Sequence, residues 1–269
     1  MPVAVPAYFD FLIAGFRAGR TGRHVHLGYW DEPPSLATPC SAQEFEAAQA
    51  RLTDLVIDLA ELRAGQSVLD VGCGFGGTLE AAAKWPDMRL VGINVDRRQL
   101  DICRSLPLGH NTLSLVTADA CALPFRAASF DRVLCVEAMF HFRARETFLR
   151  EAANVLRGGG RLVLSDILLR KPGVSAPIGA ADIEARLRPE YGPWPQLWVR
   201  VEDIIEAARS AGLRSERVID VTRQTLPSYR FTAPHAEAGL PPDPSAGSLL
   251  RWLHAGGYLT YAIMSFAKG

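Results

Sequence analysis

Ser67-Val-Leu-Asp-Val-Gly-Cys-Gly-Phe-Gly-Gly-Thr78 is the stretch on which the fold of this chain turns. It reads as a short buried strand through Asp70, a tight glycine turn, and a helix opening near Gly76. Gly72, Gly74 and Gly77 are spaced G-x-G-x-x-G. At that spacing glycines permit positive φ, lay bare backbone against a ligand and let the helix pack close to the strand. Many nucleotide-binding turns share the pattern. Asp70, two residues before the first glycine, narrows it. An acid at the carboxyl end of a strand receives a cation and repels a pyrophosphate. The turn is therefore suited to a ligand that carries positive charge and no phosphate.

Upstream, Ser41 followed by Glu44 forms a capping box. Phe45, Ala48, Leu52, Leu55, Val56, Leu59 and Leu62 then recur at helical spacing until Gly65. Residues 7–23 predict an amphipathic helix with a basic end at Arg17, Arg20 and Arg23. A ring-rich turn from His24 to Trp30 and a proline-rich linker from Asp31 to Pro39 follow. Downstream, strands over 88–93, 113–117, 130–136 and 161–168 alternate with helices over 97–104 and 143–156, and Gly158–Gly160 turns the chain into the strand at 161. Two interruptions rich in prolines and rings, 171–195 and 222–247, flank a helix over 201–211 and a strand over 214–221. The apolar strand 257–267 is entered from a loop, so it is expected antiparallel at or near the sheet edge. Strands alternating with helices imply a seven-stranded, mostly parallel α/β sheet with helices on both faces. The organisation is one structural domain: a cap segment over 1–40 and a core over 41–269 with lid insertions at about 171–200 and 222–256.

A chain of 269 residues with 48% hydrophobic content buries a full core. Lys+Arg 29 balances Asp+Glu 29, which argues against a nucleic-acid binder. No run approaches the roughly 20 apolar residues of a membrane span, and the N-terminus has no signal pattern; a cytoplasmic location is expected. The five cysteines, Cys40, Cys73, Cys103, Cys121 and Cys135, form no C-x-x-C pair, so thiols are expected rather than disulfides. His24 and His26 have no further ligand cluster beside them, and no metal is expected. The sequence is compatible with a homo-oligomer and does not specify one.

In an open parallel sheet the ligand lies beyond the carboxyl ends of the strands. Asp70 with its glycines, Asn94, Asp119, Glu137 with His141, and Asp166 all fall there. Asn94, 22 residues past Gly72, stands where a dinucleotide enzyme places an acid on the ribose, and Gln99 follows in the next helix. Asp119 ends the third strand, where a carboxylate accepts from an adenine amino group while the next backbone N–H donates to the ring.

Val-Leu-Asp-Val-Gly-Cys-Gly (68–74), Ala-Asp-Ala-x-x-Leu-Pro-Phe (118–125), Ser-Phe-Asp (129–131) and Leu-Arg-Gly-Gly-Gly-Arg-Leu (156–162) resemble the motif series of class I S-adenosylmethionine-dependent methyltransferases. With His26-Leu-Gly-Tyr-Trp30 the chain is most similar to a small-molecule branch. That branch includes tocopherol, ubiquinone, sarcosine/dimethylglycine, natural-product sugar O- and geranyl diphosphate C-methyltransferases. The resemblance implies the Rossmann-like methyltransferase sheet, S-adenosylmethionine as cofactor and S-adenosylhomocysteine as product. By position it implies that Asp70, Gly72, Cys73, Gly74 and Gly76 hold the methionine and ribose parts, that Asn94 and Gln99 face the ribose, and that Asp119 and Ala120 flank adenine. Tyr29 would reach over the cofactor, and Glu137 would adjoin it. Phe140 stands where some O-methyltransferase relatives carry a second histidine.

Methyl transfer needs acceptor and methyl held in line in a dry pocket, worth up to roughly 7–11 kcal/mol. An oxygen or nitrogen acceptor also needs a base, worth about 10²–10⁴-fold. His141 is the candidate base, Asp166 its orienter or an acceptor ligand, and Glu137 a base, an acceptor ligand or a carbocation stabiliser. The acceptor is a small molecule. Val136-Glu-Ala-Met-Phe140 lacks the Asn/Asp-Pro-Pro-aromatic turn of nucleobase amino-methyltransferases. Rings in the cap and lids, among them Tyr8, Trp194, Trp198 and Tyr229, suit an apolar, aromatic or isoprenoid acceptor. Arg20, Arg23 and His26 complete the candidate acceptor contacts, the arginines reading as a seat for an anionic group. O, N and C acceptors stay open, and a cyclase or cofactor-binding protein on the same fold is the alternative.

Overall fold

β1 (Ser67–Val71) is buried along its whole length and lies at the middle of a seven-stranded sheet. Val68, Leu69 and Val71, buried with no in-and-out alternation, are what a strand covered on both faces requires. The computed structural model describes residues 5, 8–170, 179–196, 199–233 and 245–269, without the side chains of residues 8 and 180. β2 (Arg89–Asn94), β3 (Thr112–Thr117), β4 (Phe130–Val136), β5 (Leu156–Leu169), β6 (Leu213–Asp220) and β7 (Leu259–Lys268) complete the sheet in the order β3-β2-β1-β4-β5-β7-β6. β7 runs antiparallel to both β5 and β6, one place in from the edge, as its entry from a loop suggested.

The helices are α1 (Tyr8–Arg17), α2 (Ala42–Ala60), α3 (Gly77–Ala82), α4 (Arg97–Cys103), α5 (Arg145–Val155), α6 (Ala180–Tyr191), α7 (Val201–Ser210), the single turns α8 (Thr222–Thr225) and α9 (Tyr229–Thr232), and α10 (Ala246–Ala255). Both bonds of the Ser41–Glu44 capping box form at the start of α2. Its Leu52 and Val56 are wholly enclosed on one face of the sheet, each contributing about 1.5–3 kcal/mol. Phe148 and Ala152 of α5 and Ile204 and Ala208 of α7 build the second core on the opposite face.

Two local expectations give way. Gly158–Gly160 lie inside β5, with Gly159 at φ 73° and a register shift against β4 between Phe130 and Arg132. The glycines absorb a bulge instead of making a separate turn. The lids are also more regular than their prolines suggested. α6 buries Ile183 and Leu187, four apart, and α10, capped by Ser245, buries Leu249, Leu250 and Leu253. Among the described residues no helix is long and apolar enough to cross a membrane, and no group of three or more His, Cys, Asp or Glu is placed to hold a metal ion.

Candidate active site

The glycine turn lies across the end of β2: the N–H groups of Gly72 and Cys73 both donate to the Ile93 carbonyl, at 2.9 and 3.0 Å. Gly72 sits at φ 77°, and a Cβ there would come within 2.6 Å of the Ala138 Cβ. Both facts require glycine. Beside the turn, Asn94 accepts from the Asp96 N–H (2.9 Å) and donates to Gln99 Oε1 (3.2 Å). That bond orients the Gln99 amide and leaves its buried Nε2 without a protein partner. Asp119 accepts from the Cys121 N–H at 2.8 Å, which folds the chain over so that Ala118, Asp119 and Ala120 face the same space.

That space is a cavity of about 1020 Å³ running from the turn to a chamber roofed by α1, α6, α9 and α10. It lies at the upper end of the ~300–1,000 Å³ expected of small-molecule sites, large enough for two ligands side by side. Its far wall is mostly rings, among them Phe9, Phe45, Phe140, Tyr191, Trp194 and Phe231. Phe45 stacks on Phe231 with centroids 4.8 Å apart, and Phe140 lies tilted against Trp194 at 4.3 Å.

Beyond β4 the chain puts Glu137 at φ 49°, a costly conformation for a side chain with a Cβ. The Glu137 carboxylate Oε2 accepts from the Leu27 N–H and from the Tyr261 hydroxyl, both at 2.8 Å. Burial pushes the carboxyl up to about 7, against the pull of those two donors. His141 ends a short 3-10 turn (Met139–His141) and lines the cavity. Burial holds its imidazole at about 4, hence neutral near pH 7, and Nδ1 has no partner.

Residues 69–164 match the family described as a methyltransferase domain. Over 219 residues the chain is 34% identical to 27-O-demethylrifamycin SV methyltransferase of Amycolatopsis mediterranei, which covers 80% of this chain and 76% of that one. The chain belongs to the class I S-adenosylmethionine-dependent methyltransferases of small molecules. Methyltransferase GfsG of Streptomyces halstedii is 32% identical over 228 residues, 81% of this methyltransferase and 76% of its own length. The crystal structure of the cyclase SpnF superposes with a TM-score of 0.71 over 97% of this methyltransferase and 93% of its own chain; at 24% identity it shows the shared fold.

The cofactor end of the methyltransferase fits its donor. Two buried polar atoms, Gln99 Nε2 and Asp70 Oδ2, have no partner within the protein, and Gly72 and Gly74 border the cavity without side chains. Asp70 is placed differently from expectation, however. It borders a second space of about 30 Å³ behind the turn and not the large cavity. Burial without a partner raises it to about 7. The Cys73 thiol is turned into the core towards Cys103, and Gly76, at φ 86°, packs against Leu106 and Cys103 where α3 begins; neither side faces the large cavity.

Other expected contacts redistribute. Tyr29 does not reach the cavity wall: its N–H bonds Ala48 and its carbonyl takes the Arg51 Nε. The successive N–H groups of Leu27 to Trp30 are pinned to Glu137, Ser228, Ala48 and Gln224, which presents Val25 to Leu27 to the ligand and turns Tyr29 away. Asp166 does not reach the cavity wall. It is wholly buried in a forked pair with Arg145 (2.7 Å) and absent from the cavity, because a carboxylate in the core needs a fixed cation. Arg23 does not await an anion; it donates to Phe75 and Ile102 carbonyls and to Ser105, and pairs with Glu80 at 3.4 Å. The carbonyl end of α4 draws the guanidinium in.

Arg20 stays exposed on the rim. His26 borders the cavity but spends both nitrogens, on the Leu27 carbonyl (2.8 Å) and Thr53 Oγ1 (3.0 Å). Trp194 and Tyr229 line the chamber, Tyr229 bonded through its hydroxyl to His254 at 2.7 Å. Trp198 and the Tyr8 side chain lie outside the described residues. Sequence reading missed Phe9, Tyr191 and Leu250, which only helix spacing within α1, α6 and α10 would have flagged.

Proposed function

We propose that the methyltransferase methylates a hydroxyl group on a large, mostly apolar small molecule of the polyketide kind. The observation that carries this reading is the single cavity that joins the glycine turn to a ring-lined chamber with the neutral imidazole of His141 on its wall. The relative named for a demethylrifamycin O-methylation supports it. When bound, S-adenosylmethionine supplies an electrophilic methyl group. The chain's own residues do the rest. Gly72 and Gly74 lie along the methionyl and ribose parts, Asn94 and Gln99 meet the ribose hydroxyls, and Asp119 and Ala120 flank the adenine. The rings of the chamber exclude water and hold the acceptor in line. His141, on the cavity wall, is the group placed to take the proton of the acceptor hydroxyl. Glu137 acts by position: with both its donors engaged on one oxygen, it ties the N-terminal cap to the end of β4.

In this reading residues 1–40 and the insertions 171–200 and 222–256 form the lid of one domain. The acceptor is no nucleic acid, the reaction runs in the reducing cytoplasm, and oligomerisation is not required for the site. Calorimetry with S-adenosylhomocysteine, followed by turnover of S-adenosylmethionine with 27-O-demethylrifamycin SV and a panel of hydroxylated polyketides, tests it. The expected product carries one added O-methyl for each S-adenosylhomocysteine released. Conversion without that release would point to a cyclase, and no turnover of any hydroxylated acceptor would end the reading.

A further inference from the structure

Behind α6 the chain runs Pro193-Trp194-Pro195-Gln196. The first three residues line the acceptor chamber, and Gln196 stands outside it. The prolines remove two main-chain donors from this short loop, so it has little of its own to hold it. Gln196 supplies the fastening. Its side-chain Oε1 accepts from the Arg145 N–H at 2.8 Å, across 51 residues of chain. Its Nε2 reaches both oxygens of the Glu146 carboxylate at 3.2 Å, and its carbonyl accepts from the Arg145 guanidinium at 2.5 Å. Arg145 and Glu146 open α5, where Ala144 at the cap position has no side chain to bond the first N–H groups. The amide of Gln196 therefore does the capping from a distant segment.

The same guanidinium grips Asp166 on its other side, through Nε at 2.7 Å and a second nitrogen at 3.4 Å. Both partners are wholly buried. A buried pair adds little stability over apolar packing, but a forked one fixes the direction of the guanidinium. Asp166 accepts from the Ile167 N–H at 3.0 Å, and the Phe140 N–H lies within its bonding reach. Phe140 belongs to the turn that carries His141. One chain of contacts, Phe140 to Asp166 to Arg145 to Gln196, thus joins that turn to the Trp194 loop from behind. In front, the Trp194 ring meets Phe140 at 4.3 Å and His141 edge-on at 6.0 Å. The Pro193 carbonyl lies within bonding reach of the His141 ring.

We propose that Gln196, through Arg145 and Asp166, is the positioning residue of the acceptor wall: it latches the loop behind α6 to the head of α5 and so holds Trp194 against His141. This rests on the reading of His141 given above and not on the identity of the acceptor.

Gln196→Leu removes the amide bonds and changes no charge. With 27-O-demethylrifamycin SV as acceptor it should lower kcat/KM about 10-fold, with S-adenosylhomocysteine affinity, by calorimetry, within about twofold of wild type. A second readout needs no acceptor. Burial holds the His141 ring at about 4, with Arg145 the charged group that acts on it; a loosened wall admits water and carries it towards the ordinary value of about 6.5. At a pH of about 5.5, nitrogen NMR should find His141 neutral in the wild type and largely charged in Gln196→Leu. Gln196→Glu sets a carboxylate against Glu146 and should open the latch too. Adding Glu146→Gln restores an amide facing a carboxylate at the wild-type net charge and should return both readouts; this pair carries the test if the leucine variant does not fold. An unmoved His141, an equal loss of S-adenosylhomocysteine affinity, or an exchange of the two side chains that restores neither readout would overturn the proposal. A wild-type protein that turns over no hydroxylated acceptor, while His141 responds as described, would sink the proposed function and leave the latch standing.

Discussion

At the cofactor end the cavity wall is largely main chain drawn from one contiguous stretch, residues 70–120, whose glycines and strand ends face the ligand. At the acceptor end it is side chains brought from α1, α2, α6, α9 and α10, more than 200 residues apart in the chain. Phe9 and Leu250 share one wall, yet nothing local requires either. A wall of backbone tolerates few substitutions and recognises one ligand, whereas a wall of rings on lid helices can be recut for another acceptor without touching the turn. That division predicts how variants sort.

The largest effect is expected at the joint between the two regions. His141→Ala should lower kcat by about 10²–10⁴-fold while S-adenosylhomocysteine affinity, read by calorimetry, stays within about twofold. A matching loss of cofactor affinity would place His141 at the wrong end. Gly72→Ala should next cost about 10- to 100-fold in cofactor affinity, since positive φ and the Ala138 contact together carry about 1–3 kcal/mol of strain. Acceptor binding to any cofactor-loaded fraction should be unchanged.

Asp70→Asn separates stability from binding. The Asp70 carboxyl is raised to about 7 in the folded protein against about 3.9 unfolded, so its contribution to ligand-free stability is complete below about pH 3.9 and is lost as pH rises through 7. The variant cannot ionise. Its melting temperature should gain on that of the wild type between pH 4 and pH 7 and hold a constant lead above, while cofactor affinity falls. A parallel pair of pH curves would show that Asp70 is already partnered. Phe231→Ala should raise acceptor KM about 10-fold through the lost ring contact with Phe45 and leave the cofactor untouched.

Arg23→Ala should do least to catalysis. Losing its bonds to the Phe75 and Ile102 carbonyls should cost about 1–2 kcal/mol of stability, a fall of a few degrees in Tm, with acceptor KM unmoved. An increase in KM would restore the arginine to the acceptor end.

The sequence was most legible where the signal was local. The Ser67–Thr78 turn, the Ser41 capping box and the alternation of strands with helices each depend on neighbours within a few residues, and the structure places all of them as read. It was least legible where an ionisable group had to choose among distant partners. Asp166, Arg23 and His26 are each plausible ligands by type. In the fold each is spent on a partner, on Arg145, on the carbonyl end of α4, or on Leu27 and Thr53. The lid helices α6 and α10 were hidden by their prolines and glycines, although Ile183 with Leu187, and Leu249 with Leu253, keep helical spacing.

By itself the sequence determined the sheet, the turn that opens it and the family's cofactor, because glycine conformations, caps and hydrophobic periodicity act over one or two turns of chain. Only the tertiary structure decided which carboxylates and imidazoles face a ligand and which hold the protein together. Burial and pairing set the charge and direction of those groups, and the partners arrive from elements that the linear order keeps far apart.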